Sequence, residues 1–172
     1  MRARNYRNVK GQPYVRKKFV KGFPPPKITK FTMGDTRAEF EYEARLIALK
    51  KAQIRHNALE AARIATNRFL NEKLSQNYRL QIHPYPHIIL RENKMIFGAH
   101  ADRLQDGMRR SFGKPIGTAA RVRPNQTIIT VNVNADDVEV AKEALKRGSA
   151  KLPIPCRIVI EKREKEEVKA VE

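Results

Sequence analysis

The sequence predicts an α+β fold: a two-layer sandwich of mostly antiparallel sheet with two main helices, preceded by an extended basic arm. Three observations support this prediction. Several short segments alternate between apolar and polar residues with a period of two, which is typical of half-buried strands. Two longer segments repeat apolar residues at helical spacing. The first thirty residues contain ten Lys or Arg and no Asp or Glu, so they cannot form a core.

The composition is that of a basic globular protein that binds nucleic acid. The 172 residues carry a net charge of +18 and a pI near 10.4, and a pI above about 9 with clustered cations is the electrostatic footprint of nucleic-acid binding. No apolar run approaches the roughly 20 residues that cross a bilayer, and no apolar stretch follows the N-terminal charges. The single cysteine, Cys156, excludes an intrachain disulfide and a cysteine-based zinc site. We therefore expect a cytoplasmic protein with no membrane partner.

Residues 1–35 form the predicted basic arm, in which the first acidic residue is Asp35. Such a segment needs a polyanion to lie against, and nucleic acid is the expected one because Lys and Arg neutralise its phosphates and release counterions. The aromatic residues Tyr6, Tyr14 and Phe19 either stack on bases or hold the arm against the domain, and the sequence leaves both alternatives open. The predicted contacts in the arm are Arg2, Arg4, Tyr6, Arg7, Lys10, Tyr14, Arg16, Lys17, Lys18, Lys21 and Lys27.

The first strand of the domain is predicted within residues 38–49. Its apolar residues, including Ala44, Leu46 and Ala48, alternate with Glu and Arg, and this period of two favours a strand. A helix is the alternative for the same residues, since Glu, Ala and Leu are good helix formers.

The first helix is predicted over residues 57–74. Its apolar residues repeat at helical spacing, Asn57 stands where an N-cap is expected, and Glu60 follows three residues later as in a capping box. Two strands are predicted next. Residues 78–82 alternate, and residues 87–91 are more continuously apolar, with two prolines between the two segments.

Residues 92–116 show no clean period and are predicted as a functional loop with five basic and three acidic residues. A loop this long inside a compact domain is usually functional or disordered; a short helix over residues 101–110 is the alternative for part of it. The segment resembles a nucleotide-binding phosphate loop, but five residues separate Gly107 from Gly113 where four are needed, and Pro115 replaces the required Ser or Thr. We expect phosphate contact here, without a nucleotide cofactor.

A β-hairpin is predicted where residues 117–123 and 127–133 flank the turn at Pro124 and Asn125, because two short strands joined by turn residues usually pair with each other.

A second amphipathic helix is predicted from Asp136, and Gly148 is expected to stop it, after basic residues that suit the C-terminal end of the helix dipole. A last strand follows over residues 153–160. Val138, Ala141, Ala144 and Leu145 are the predicted inward face of this helix. The whole chain then divides into the arm, a globular domain over residues 36–162 and a charged tail over residues 163–172.

No metal site and no catalytic group are predicted. His83 and His87 flank two prolines, so the helical geometry that would aim both rings at one metal is not available. His100 lies near two aspartates, but nothing near it resembles a nucleophile with an orienting partner.

The segment Ala101–Val122 is similar to the signature of a known family, through its motif Gly-Met-Arg-Arg-Ser-Phe-Gly-Lys-Pro. The arm agrees at Arg2–Arg7 and Lys21–Ile28, and so does Leu59–Ile64 of the predicted helix. The family is the large-ribosomal-subunit protein called L-sixteen in bacteria and L-ten-e in archaea and eukaryotes. The chain departs from it at Arg110-Ser111, where Gly-Ala is common, and it ends without the extension of eukaryotic members, which favours an archaeal-type protein.

The resemblance implies a fold of the α/β hammerhead type, which is compatible with the predicted order of elements. It also implies a non-enzymatic protein buried in large-subunit rRNA beside other ribosomal proteins, without a small-molecule substrate. The loop at residues 98–115 would face the peptidyl-transferase region and the tRNA acceptor end. Its implied contacts with rRNA or tRNA are Arg103, Arg109, Arg110 and Lys114. Further predicted rRNA contacts are Lys94, Arg121 and Arg123.

Two other classes of function fit the sequence less well. An RNA-modifying enzyme with a basic arm would need a cofactor loop or an acid–base constellation, and the sequence offers neither. A DNA-compacting protein would have no need of the loop at residues 98–115. The favoured interpretation is therefore a ribosomal protein that binds rRNA through positioned, charged side chains.

Overall fold

The computed structural model describes residues 1–13, 15, 17–94 and 111–163. The alternative helix over residues 101–110 and most of the charged tail lie outside the described residues. So do five of the predicted contact residues and the side chain of a sixth, Lys17. The five are Tyr14, Arg16, Arg103, Arg109 and Arg110.

Eight strands, two helices and three short 3₁₀ turns make up the described part of the chain. The strands and helices in chain order are β1 (Thr32–Gly34), β2 (Tyr42–Ala48), β3 (Ala52–Arg55), α1 (His56–Leu74), β4 (Arg79–Ile82), β5 (Ile88–Glu92), β6 (Lys114–Val122), β7 (Thr127–Val133), α2 (Val138–Ser149) and β8 (Cys156–Lys162). The turns span Ala3–Asn5, Lys17–Phe19 and Ala135–Asp137.

The strands form two sheets in which every pair is antiparallel. One has five strands in the order β1-β4-β7-β2-β8, and the other has three in the order β3-β6-β5. The predicted α+β class with mostly antiparallel sheet and two main helices is confirmed. The strand predicted within residues 38–49 is confirmed as β2. Both of its backbone edges are bonded, to β7 and to β8, and this pairing overrides the helix propensity of its residues.

The two helices pack against each other and cover one face of the sheets. Ala141, Ala144 and Leu145 of α2 are fully buried, as the helical spacing predicted, and α2 contacts β2, β7 and β8. The prediction that Gly148 stops this helix is wrong, because α2 continues to Ser149. Gly148 instead permits close packing, since a Cβ there would lie 2.3 Å from Oγ1 of Thr66 on α1.

The predicted hairpin is wrong. The turn is present and Asn125 has φ of 60°, but β6 pairs with β3 and β5, whereas β7 pairs with β2 and β4 in the other sheet. The turn is tied to the end of β2, because the amide of Asn125 donates to the carbonyl of Ala48 at 2.8 Å and the amide of Ala48 donates to Gln126 at 3.0 Å. The chain therefore changes sheets twice at one corner, between β2 and β3 and between β6 and β7.

Three further details differ from the sequence prediction. The strands β1 and β3 are not predicted, because each is short and neither shows a clear alternation. The expected N-cap at Asn57 is wrong: α1 begins at His56 directly after β3, so Arg55 takes the cap position without a side-chain cap bond. Glu60 pairs with Arg63 in the next turn at 2.5 Å and does not close a capping box.

Candidate nucleic-acid interface

The N-terminal residues lie across the three-stranded sheet, and Tyr6 and Arg7 are bonded to its edge strand β3. The amide of Gln53 in β3 donates to the carbonyl of Arg7 at 2.9 Å, and Nε2 of Gln53 donates to the carbonyl of Tyr6 at 2.7 Å. The guanidinium of Arg55 lies 5.7 Å from the centre of the Tyr6 ring. The arm thus occupies backbone groups that an edge strand would otherwise expose.

Two more contacts continue this path across the sheet. Arg121 of β6 is the register partner of Gln53, and its Nη1 donates to the carbonyl of Gly11 at 2.7 Å. At the far edge, the terminal amine of Met1 lies 3.1 Å from the carboxylate of Glu92 on β5. The arm is therefore held at the edge strand β3, at the central strand β6 and at the edge strand β5.

The end of the arm is part of the core, which corrects the expectation from its charges that no part of residues 1–30 would be buried there. The Ile28 side chain is 1% exposed, and the amide of Lys27 donates to Nδ1 of His56 at 2.9 Å. The carbonyl of Phe31 accepts from the amide of Ile82 at 2.8 Å, which leads the chain into β1. Burial of one isoleucine contributes about 1.5–3 kcal/mol, so this anchor fixes the position of the arm independently of its charges.

The anchored arm leaves its cations on the surface. Seven predicted contacts have exposed side chains: Arg2, Arg4, Arg7, Lys10, Lys18, Lys21 and Lys27. Within residues 1–13, 15, 17–94 and 111–163, none of these side chains forms an ion pair with a carboxylate. Like charges on one segment repel one another, and a polyanion would relieve the repulsion.

The remaining described contacts differ in their surroundings. Three of them are exposed at or just beyond the ends of strands: Lys94, Lys114 and Arg123. Arg121 is half-buried, and its Nη1 donates a hydrogen bond to the arm. The structure adds Arg91, an exposed cation whose Nε donates to the carbonyl of Gly113 at 3.0 Å. Sequence reasoning did not single it out, since it stands at the end of a strand among apolar residues and away from any basic run.

The aromatic residues of the arm were expected either to stack on bases or to hold the arm against the domain, and the two described residues differ in this respect. Tyr6 is half-buried against Arg55 and holds the arm to β3. Phe19 is 73% exposed, and its ring lies 5.8 Å from Nζ of Lys18. Phe19 is therefore available to a partner, whereas Tyr6 is already packed. Tyr14 lies outside the described residues.

Comparison with known proteins decides the family. The family model described as ribosomal protein L16p/L10e matches residues 9–159. The chain belongs to the ribosomal protein L16p/L10e family. It is 54% identical over 158 residues to the large ribosomal subunit protein uL16 of Staphylothermus marinus, with 91% of each chain covered. It is 52% identical over 167 residues to uL16 of Sulfolobus acidocaldarius, with 95% of each covered, and 50% identical over 161 residues to uL16 of Methanococcus maripaludis, with 93% of each covered.

Membership in the L16p/L10e family confirms the resemblance inferred from the sequence, including its archaeal type. A member of this family is a ribosomal protein and not an enzyme. In the described ranges of the chain, no group of three His, Cys, Asp or Glu side chains could hold a metal ion. Neither of the two described helices is long and apolar enough to cross a membrane.

Two histidines of this L16p/L10e member have structural partners. Nδ1 of His56 accepts the bond from Lys27, and Nε2 of His83 lies 2.7 Å from Oγ1 of Thr130. Burial, followed by the charges of Arg55 and Lys27, lowers the pKa of His56 below 6.5. Burial also lowers the pKa of His83, against an opposing effect of Glu43. The His56 ring, which is 5% exposed, is therefore neutral in the folded protein at neutral pH, whereas solvent weakens the effect on the exposed His83 ring.

The lowered pKa values predict acid destabilisation of the fold. Below about pH 6.5 the unfolded chain binds more protons at these histidines than the folded chain does. The contribution of the neutral histidines to the free energy of unfolding is therefore complete above that pH, and it is lost as the pH falls toward the pKa of the folded state. We expect the melting temperature to fall between about pH 7 and pH 5.

The variant His56→Asn tests this expectation, since asparagine keeps an oxygen that can accept from the amide of Lys27. Its melting temperature should fall less steeply with pH than that of the unmodified chain. The exposed His87→Asn variant serves as the control and should keep the full slope. A His56→Asn slope equal to that of the unmodified chain would contradict this account of His56.

Proposed function

We propose that this chain is a structural constituent of the large ribosomal subunit in the cytoplasm, where it binds rRNA and helps to form the tRNA-binding region near the peptidyl-transferase centre. The observation that carries the proposal is the row of exposed cations that have no carboxylate partner among the described residues, along an arm that is itself anchored to the domain. The relatives, which are named large ribosomal subunit proteins, support the same placement. Neighbouring ribosomal proteins are the expected protein partners.

The anchored arm suits rRNA because phosphate contacts depend on position. Cations neutralise phosphates and release counterions, and these contacts fix the register of a protein on RNA without reading its sequence. A cation on a fixed backbone loses less conformational entropy on binding than one on a free chain. Hydrogen bonds from Gln53 and Arg121 hold the backbone of residues 6–11, so Arg7 and Lys10 are carried at defined positions.

The tRNA part of the proposal concerns the loop at residues 98–115, which the resemblance leads us to expect near the tRNA acceptor end. Of its four predicted contacts, Lys114 lies among the described residues, where it is exposed at the first position of β6. Arg103, Arg109 and Arg110 lie outside them. The proposed role is positional: cations at this loop stabilise rRNA and tRNA phosphates beside the reaction, without taking part in proton transfer or bond formation.

A triple variant tests the loop. Replacing Arg109, Arg110 and Lys114 with alanine should leave sedimentation with the large subunit in a sucrose gradient unchanged, because the arm and the core are intact, and should lower the rate of translation severalfold. The matched control removes three exposed cations of the helical side: Lys142, Lys146 and Lys151. Surface substitutions there should change stability by no more than about 0.5 kcal/mol and leave translation unchanged. Normal translation by the loop variant would refute the role near tRNA.

A further inference from the structure

Two phenylalanine side chains stand almost fully in solvent on the side of the arm. Phe19 is 73% exposed and Phe112 is 81% exposed, more than any other large hydrophobic residue described. Phe19 ends a turn of the arm, and Phe112 precedes Gly113 at the start of β6. A ring left in water forgoes the favourable burial that such a residue normally makes, and two exposed rings that share one cleft form the kind of apolar surface that marks a binding site.

The two rings line the same cleft, which has a volume of about 390 Å³. This volume is at the lower end of the roughly 300–1,000 Å³ of small-molecule sites and suits one planar ring system with its sugar. Val20 and three cations line the same cleft: Lys21, Arg91 and Lys114. The cleft therefore combines two aromatic faces with cationic walls.

The charge of the cleft is one-sided. None of its described lining residues is acidic, and the carboxylate of Glu92 on β5 pairs with the terminal amine of Met1. Arg91 is held by its bond to the carbonyl of Gly113, and Nζ of Lys18 lies beside the Phe19 ring. A ligand that offers an aromatic face and negative charge together matches this arrangement, and an unpaired nucleotide offers both.

A second cleft continues from the first. It has a volume of about 830 Å³, lies between the arm and the three-stranded sheet, and shares Phe112 and Arg91 with the first cleft. Its floor is apolar, and Arg4, Lys10 and Arg121 line its sides. Among the described residues, Nε of Arg121 is buried without a hydrogen-bond acceptor.

We propose that the cleft between Phe19 and Phe112 receives an unpaired nucleotide of rRNA, whose base stacks on these rings and whose flanking phosphates meet Lys21 and Arg91. The strand continues past Phe112 into the second cleft, toward Arg121. This inference rests on the proposed rRNA binding and adds a base-stacking site to contacts that otherwise depend on charge alone. The competing occupant is an apolar side chain of a neighbouring protein, which would ignore RNA bases.

Fluorescence offers a direct test because the chain contains no tryptophan. The full-length variants Phe19→Trp and Phe112→Trp each carry a single tryptophan at the cleft. The probes are a short single-stranded oligoadenylate and an abasic ribose-phosphate oligomer of equal length. Stacking predicts that the oligoadenylate quenches both tryptophans and that the abasic oligomer does not. Equal responses to both probes, or no response to the oligoadenylate, would overturn the stacking site.

Affinity measurements separate this inference from the proposed function. Phe19→Leu and Phe112→Leu keep an apolar side chain but remove the ring, so each should weaken oligoadenylate binding by roughly 5- to 140-fold and leave abasic binding unchanged. The control Tyr85→Leu removes a 48% exposed ring outside both clefts and should change neither. Retained binding of both probes by the leucine variants would overturn the stacking site alone. Failure of the unmodified chain to bind either probe would also overturn the proposed rRNA binding.

Discussion

A chain that lacks six cations of the arm is expected to bind rRNA orders of magnitude more weakly and with a much smaller dependence on salt. The six residues replaced by alanine are Arg2, Arg4, Arg7, Arg16, Lys17 and Lys18. Each lost phosphate contact removes roughly 0.7–0.9 units from the slope of log affinity against log salt, so six contacts account for about 4–5 units. The anchors of the arm, at Gln53, Arg121 and Ile28, are untouched by these substitutions.

The measurement is the affinity of the purified chain for large-subunit rRNA over a series of salt concentrations. A second variant with the same change in net charge is the control. It replaces six exposed cations with alanine. They lie on the two helices, on the segment after α2 and on β8: Arg68, Lys73, Lys142, Lys146, Lys151 and Arg157. If net charge alone determined binding, both variants would lose the same slope. An unchanged slope in the arm variant would refute phosphate contact by the arm.

The elements that could be predicted from the sequence are those with a local cause. Alternation in β2 and helical spacing in both helices show which face of each element is buried. This pattern depends only on the residues of the element itself, so it can be recognised in the sequence. The turn at Pro124 and Asn125 is also local, and it is present. Its partner strands are not local: the amide of Asn125 is bonded to Ala48, more than seventy residues away in sequence, and this tie directs β6 and β7 into different sheets.

Glycine shows the same limit. From the sequence, Gly148 is predicted to end a helix and Gly113 to lie in a loop, because glycine commonly ends helices and forms turns. In the structure Gly148 lies inside α2, where its missing side chain makes room for Thr66. The neighbour that requires a glycine at position 148 belongs to another element, so the requirement cannot be read from the surrounding residues.

The candidate interface divides in a similar way. The cations of the arm follow from its composition, whereas Arg91 does not, and the resemblance to the ribosomal family was sufficient to expect rRNA as the partner. Their arrangement was not predictable, because it depends on Gln53 and Arg121 binding arm carbonyls across two adjacent strands. Arg91 and Phe112 gain their place beside Phe19 only when the arm lies over the three-stranded sheet. A basic run thus indicates that nucleic acid is bound, and the fold determines where the bases can be held.

Replacing Gly113 with alanine is expected to be among the most damaging single changes in the described part of the chain. Gly113 is buried with φ of +79°, and a Cβ there would lie 2.3 Å from the carbonyl carbon of Glu92 and 2.4 Å from the amide nitrogen of Asn93. Both neighbours are backbone atoms, so no side chain can rotate away. We expect a loss of at least about 3 kcal/mol, which lowers the melting temperature by roughly 6–12 °C for a chain of this size.

The matched control is Gly22→Ala, because Gly22 also has positive φ, of +68°, but no atom lies within 4 Å of the added Cβ. It should lose only the left-handed backbone preference of about 1–2 kcal/mol. The difference between the two melting temperatures therefore measures the contact between Gly113 and the end of β5. This contact joins the chain that enters residues 95–110 to the chain that leaves them, and it fixes the carbonyl that binds Arg91. Equal melting temperatures would show that β5 and β6 can separate at this point without cost, and the base of the loop would then not be held by Gly113.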